Sequence, residues 1–174
     1  VTWIDVTSSV TGTAVSYADA GLTSSNTIQF QVVDQAGNAG ATVSQAITID
    51  ASAPATTIII DGISADTGTV GDFVTSDNDG LTINARLSAA LVAGEKLMYS
   101  RDNGATWIDV TGSVSFTTVN YFDAALISTN TIKFQVLDQA GNAGPTASQL
   151  ITIDPNAPTT NTIYGSSYDD TISG

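Results

Sequence analysis

The sequence predicts an all-β protein built on a β-sandwich repeat. Three observations carry that reading. Apolar residues alternate at the strand period and no segment holds a helical one. Thr, Val, Ile and Ser are abundant while charged residues make up only 12% of the chain, a composition that favours strands. The chain also repeats itself without a gap.

"TWIDVTSSV" from Thr2 recurs as "TWIDVTGSV" from Thr106, and "NTIQFQVVDQAGNAG" from Asn26 as "NTIKFQVLDQAGNAG" from Asn130. "ITIDASAP" from Ile47 recurs as "ITIDPNAP" from Ile151. Every match has an offset of 104 residues, and about two-thirds of the aligned positions are identical. A repeat of that length is a whole domain, which points to a tandem array. Residues 1–50 read as the C-terminal half of one repeat, 51–56 as a linker, 57–154 as a complete repeat, 155–161 as a second linker and 162–174 as a tail of different character. Pro54 and Pro158 stiffen the linkers. The chain opens inside a strand-like segment, as if cut from a longer protein. The half copy is expected to expose an unpaired edge and part of its core.

The elements of the complete copy follow in order. "TTIIID" opens it. "LTINARL" turns Leu81, Ile83, Ala85 and Leu87 inward and Thr82, Asn84 and Arg86 outward. "KLMYS", "TWIDV" and "SFTTVNY" come next. "TIKFQVLD" buries Ile132, Phe134 and Val136, and "QLITID" closes the copy. Seven or so short strands in about 100 residues, separated by turn signals, predict an immunoglobulin-like sandwich. The cysteine pair common in such domains is missing, so the core must hold without it.

Composition excludes much chemistry. With no His there is no Ser-His-Asp triad and no imidazole ligand; with no Cys there is no thiolate metal site, no cysteine nucleophile and no disulfide. Glu95 has no matched acidic partner for acid–base work, so the reading is non-enzymatic. A net charge of -13 argues against nucleic acid and anionic lipid as partners. No apolar run is long enough for a membrane helix.

"YSRDNGATW", from Tyr99 to Trp107, fits S-x-D-x-G-x-T-W and resembles the Asp-box of sialidases. A sialidase carries several such boxes in successive propeller blades, with an arginine cluster; this chain has only Arg86 and Arg101. Here the motif reads as a hairpin closure. Asp102 accepts turn amides, Gly104 takes a positive φ, and Trp107 covers one end of the core.

All but one of the 17 acidic residues are Asp, the exception being Glu95. The shorter carboxylate suits turns and hard-cation ligation in loops. "DGISADTGTVGDFVTSDNDG", from Asp61 to Gly80, places Asp66, Asp72, Asp77 and Asp79 on one loop. Their repulsion would be relieved by a bound Ca2+, which takes six to eight oxygens. The alternative is a solvated acidic loop. In an immunoglobulin-like sandwich this loop lies at the pole where the last strand ends, so Asp154 should approach it. Asp50 holds the same place in the first copy. Asp138, in the hairpin loop "DQAGN", lies at the other pole. It reads equally as a ligand at the junction with a neighbouring repeat and as a plain turn residue.

These motifs together resemble the bacterial Ig-like repeats of giant RTX adhesins. The quoted carriers are "ADTGTVGDFVTSDNDGLTI", "NTIKFQVLDQAGN" and "TIDPNAP". The resemblance implies a secreted, cell-surface extender. Tandem repeats hold a terminal ligand-binding region away from the cell, and Ca2+ stiffens each junction with the neighbouring repeats of the chain. It carries ligand roles to Asp66, Asp72 and Asp77 in the loop and to Asp50 and Asp154 in the linkers. One departure is Ala65, where many members have a further Asp.

"TIYGSSYDDTISG" from Thr162 resembles the entry to RTX nonapeptide repeats, with Asp170 at a calcium position. In the resembled adhesins such repeats lie near a C-terminal type I secretion signal. Two other functions are compatible with the same sequence. One is a sugar- or surface-binding module using exposed aromatics among Trp3, Tyr17, Trp107, Tyr121 and Phe122. The other is an accessory domain of a secreted hydrolase.

Overall fold

The computed structural model describes residues 2–156. The chain divides into two compact units, one ending at Ser52 and the other beginning at Ala53.

The second unit is a two-sheet sandwich. One sheet has the order β10 (Val114–Ser115), β11 (Thr118–Asp123), β7 (Leu81–Leu87), β5 (Ile58–Ile63). The other runs β6 (Val74–Thr75), β13 (Ala147–Ile153), β12 (Asn130–Leu137), β8 (Lys96–Ser100), β9 (Ile108–Asp109). All pairs are antiparallel except β6 with β13, which is parallel. The all-β immunoglobulin-like sandwich expected from the alternation is therefore the fold.

The core lies between the sheets, and the period-2 pattern builds it. Leu81, Ile83, Ala85 and Leu87 are buried from β7, and Ile132, Phe134 and Val136 from β12. Each large side chain so buried contributes about 1.5–3 kcal/mol. Tyr99 of β8 sits at the centre. Its ring lies 4.9 Å from Tyr121 and 5.0 Å from Phe134, tilted by 56° and 48°. Tilted pairs of this kind add about 0.5–1.5 kcal/mol each beyond area burial. This aromatic cluster ties β8 to β11 and β12 across the core, in a domain without cysteines.

Three local expectations are corrected. Only Ile108–Asp109 of "TWIDV" is strand, because Val110 starts a 3-10 turn over Thr111–Ser113. "SFTTVNY" is not one strand but a hairpin. Phe116 takes φ 57° at its tip, and Val114 faces Val119 across it. Trp107 does not cap the core. It is half-buried against the Asp-box turn, apart from the main cluster.

The first unit carries two hairpins, β1 (Val10–Thr11) with β2 (Ala14–Val15) and β3 (Asn26–Phe30) with β4 (Val43–Ile47). Gly12, with φ 61°, stands at the tip of the first, where the second copy has Phe116. None of its described residues is buried. No helix among the described residues is long and apolar enough to cross a membrane.

Candidate functional site

The acidic loop of the second unit spans the gap between β5 and β7. Its base is closed by Ser64, whose amide donates to the Thr82 carbonyl at 2.8 Å while its Oγ accepts the Thr82 amide at 2.9 Å. Threonine hydroxyls rather than carboxylates hold the interior. Thr75 Oγ1 donates to the Ala65 carbonyl at 2.5 Å and accepts the Asp77 amide at 3.0 Å. Thr67 Oγ1 accepts the Ser76 amide at 2.8 Å. Thr75 is buried and is the organising residue that sequence reasoning missed. Its signal was present: Thr two positions before Asp is the pattern of a local Ser/Thr turn.

Phe73 anchors the loop to the core from a left-handed backbone, φ 61°. A bulky residue there stores strain that packing must offset. Its carbonyl accepts the Thr152 amide at 3.0 Å, and the Thr75 carbonyl accepts the Asp154 amide at 2.8 Å. Asp154 therefore does meet the acidic loop, as the topology required.

The carboxylates divide into separate places. Asp66 Oδ2 accepts the Gly71 amide at 2.7 Å, while its Oδ1 is buried without a hydrogen-bond partner. Asp72 Oδ1 accepts the Val74 amide at 2.9 Å. Asp77 Oδ1 accepts the Asp79 amide at 3.3 Å. The Asp77 side chain, by hydrogen bonding first and charge second, pushes the Asp79 carboxyl above its ordinary range. Asp154 Oδ1 accepts the Asn156 amide at 3.0 Å. Among the described residues no group of three or more acidic side chains converges on one point. The orphaned Asp66 oxygen and the mutually repelling Asp77 and Asp79 are hard oxygen donors of the type Ca2+ takes. Backbone carbonyls and water would have to supply the balance.

Other expected positions lie elsewhere. Asp50 belongs to the first unit, where its Oδ1 accepts the Ser52 amide at 2.9 Å. Both Asp138 oxygens serve the β12–β13 hairpin, taking the Asn142 amide and its Nδ2, each at 2.8 Å. Those bonds hold its carboxyl below the usual range. Asp34 and Asn38 repeat the arrangement in the first unit. Asp170 lies outside the described residues.

The Asp-box turn closes its hairpin with every member engaged. Asp102 Oδ1 accepts the Ser100 hydroxyl at 2.7 Å and the Thr106 amide at 2.8 Å, and Oδ2 accepts the Thr106 hydroxyl at 2.5 Å. Thr106 first, then Ser100, hold the Asp102 carboxyl down to about 2. The Gly104 amide reaches Ser100 Oγ at 2.8 Å, and Gly104 takes φ 92°. A carboxylate so occupied is a turn clasp.

The two-sheet topology, with its last strand tied back to the first interstrand loop, defines an immunoglobulin-like structural module. The chain belongs to the bacterial Ig-like domain family, whose model matches residues 6–51 and 55–155. Among curated proteins no sequence matches the chain. Domains of this family are generally structural rather than catalytic and are often extracellular or surface-associated.

Proposed function

We propose that the chain is a calcium-stabilised extender of a large secreted, cell-surface RTX adhesin, non-catalytic and linked to neighbouring repeats of the same kind. The observation that carries this reading is the tie between Asp154 and Thr75. It fixes the exit of the module to the acidic loop, so an ion held by that loop would stiffen the exit as well. Asp66, Asp77 and Asp79 are the loop residues best suited to offer it oxygens, from separate places on the loop, with Asp72 and Asp154 as further carboxylates on the loop and at the exit. The ion supplies positive charge, which removes the repulsion between Asp77 and Asp79.

The mechanism is linkage. An ion that binds only the folded module at 100 times its dissociation constant adds about 2.7 kcal/mol of stability. Extracellular calcium modules bind at roughly 0.1–1 mM. The cytosol would leave such a site empty and the surface would fill it, so stiffening would follow export. The RTX-like segment after the second linker, with Asp170, places the chain in this reading near the secretion-signal end of its parent.

Thermal unfolding of the full chain in EGTA and across a Ca2+ titration, with Mg2+ as control, tests the proposal. The expected result is a rise in Tm of several degrees, saturating near millimolar Ca2+ and reduced by Asp66→Asn and by Asp77→Asn. A melting curve indifferent to Ca2+ would overturn it.

A further inference from the structure

Asn103 and Gly104 form the one Asn-Gly step in the sequence. At such a step a chain most readily attacks itself. Asparagine is a chemically labile residue, and a glycine after it has no Cβ to shield the backbone nitrogen that its carboxamide can meet. The step sits at the tip of the β8–β9 hairpin, Asn103 with φ 58° and Gly104 with φ 92°. Asn103 is exposed, and its carboxamide makes no hydrogen bond among the described residues.

Two features of the turn act on that nitrogen in opposite directions. Lys133 Nζ donates to the Asn103 carbonyl at 3.0 Å. This carbonyl shares its peptide bond with the Gly104 nitrogen, and a cation at the oxygen draws electron density from the N–H and makes it more acidic. Against this, the Gly104 N–H donates to Ser100 Oγ at 2.8 Å. Ser100 is fully buried, and its own hydroxyl donates to Asp102 Oδ1 at 2.7 Å. The Thr106 amide and hydroxyl hold Asp102 in turn. The Asn103 amide is tied as well, to the Thr131 carbonyl at 2.9 Å. The hydrogen that the attack must shed therefore points at a buried oxygen, away from water.

We propose that Asn103 is a self-modification site and that the clasp of Ser100, Asp102 and Thr106 is its lock. When the turn opens, the Gly104 nitrogen attacks Asn103 Cγ. A new C–N bond forms, the proton on the attacking nitrogen passes through water to the departing amide nitrogen, and ammonia leaves. Water then opens the resulting succinimide at either carbonyl. One opening gives aspartate. The other gives isoaspartate, in which the main chain runs through the former side chain. Nothing is oxidised or reduced, and water is the sole co-reactant. Either product places a carboxylate at the tip, next to the carbonyl that Lys133 holds. Isoaspartate also lengthens the turn, so the clasp no longer closes in the same register. The hairpin then carries a one-way record of its opening.

The test ages the full chain in mildly basic buffer and maps it by mass spectrometry. Conversion is read as N–H exchanged for O in the peptide that holds residue 103, and electron-transfer fragmentation separates isoaspartate from aspartate. The folded chain should convert at least about tenfold more slowly than the chain in urea, because opening must precede attack. Ser100→Ala removes the acceptor of the Gly104 amide and should speed conversion about tenfold. Thr106→Val, at an exposed position, removes one bond of the clasp and should speed it by less. Amide exchange in β12 shows that each variant is folded, and Thr106→Val decides alone where Ser100→Ala unfolds. Adding Lys133→Met to Thr106→Val should slow conversion again, and an unchanged rate would overturn the part given to the cation. No conversion at residue 103 in urea overturns the site. Equal rates in the folded and urea-unfolded chains overturn the lock, as does a folded Thr106→Val that converts no faster than the parent chain.

Discussion

Arg101 Nη1 meets Asp123 Oδ1 at 2.9 Å, joining the Asp-box hairpin to the end of β11 across the C-terminal pole of the second unit. The pair is asymmetric. The Asp123 side chain is 5% exposed and that of Arg101 33%. The same Asp123 oxygen also accepts the Ala125 amide at 2.9 Å. Deleting the cation leaves a buried charge uncompensated, while neutralising the acid leaves a cation that water reaches. Arg101→Met is therefore expected to cost about 2 kcal/mol and Asp123→Asn about half as much. Urea unfolding of both variants measures the order, and the reverse order would show that the pair is not anchored by its buried acid.

Acid should unlock the Asp-box turn. Asp102 titrates at about 2 in the fold and at 3.8 as an unperturbed side chain. A carboxyl with a depressed folded pKa stabilises the fold above its unfolded value, and that contribution disappears as pH falls through the folded value. The loss attributable to Asp102 therefore lies between about pH 4 and pH 2. Asp109, held to about 2 by Thr111 and then by Lys96, loses its share in the same window. Asp102→Asn should flatten the stability profile there, and adding Asp109→Asn should flatten it further. Denaturant midpoints at pH 5, 3 and 2 read the effect.

What the sequence made legible was local. The alternation in β7 and β12 named its buried residues correctly because period 2 is a property of adjacent residues. The turn at Asp138–Asn142 was readable because Asp, Gly and Asn each have a backbone reason to be there. Phe116 hid the β10–β11 turn, since an aromatic in a left-handed conformation gives no turn signal; Gly12, at the same place in the first copy, gave one. Strand β6 was invisible because Val74–Thr75 forms strand only against Thr152–Ile153, far along the chain. The Arg101–Asp123 pair was hidden for the same reason. The tie of Asp154 to the acidic loop followed from topology, whereas the division of the carboxylates depended on Thr67 and Thr75.

The mouth of the acidic loop is sterically fixed at Gly80. A Cβ there would stand 2.8 Å from Ala124 Cα, and its φ is +106°. Gly80→Ala should cost about 2–3 kcal/mol from overpacking and backbone strain together. Gly68, on the same loop with φ +83° and open space around it, should cost only about 1 kcal/mol for the backbone term. Comparing the two by thermal unfolding separates clash from conformation. Equal costs would mean that the loop mouth yields to the added methyl.

Phe134 and Phe30 occupy the same repeat position in opposite environments, so the same substitution should have different costs. Phe134 is fully buried against Tyr99 and the β7 side chains, and Phe134→Ala should destabilise the second unit by about 3–5 kcal/mol. Phe30 lies nearly half exposed over a hollow of the first unit. Its replacement by Ala removes little buried area and should cost about 1 kcal/mol or less. Urea unfolding of each variant, followed by amide exchange in β3 and β12, measures both. The contrast comes chiefly from what covers each ring, because the residue is the same and its hairpin partners, Val43 for Phe30 and Ala147 for Phe134, stand at the same repeat position. Equal costs would require the first unit to bury Phe30 in solution.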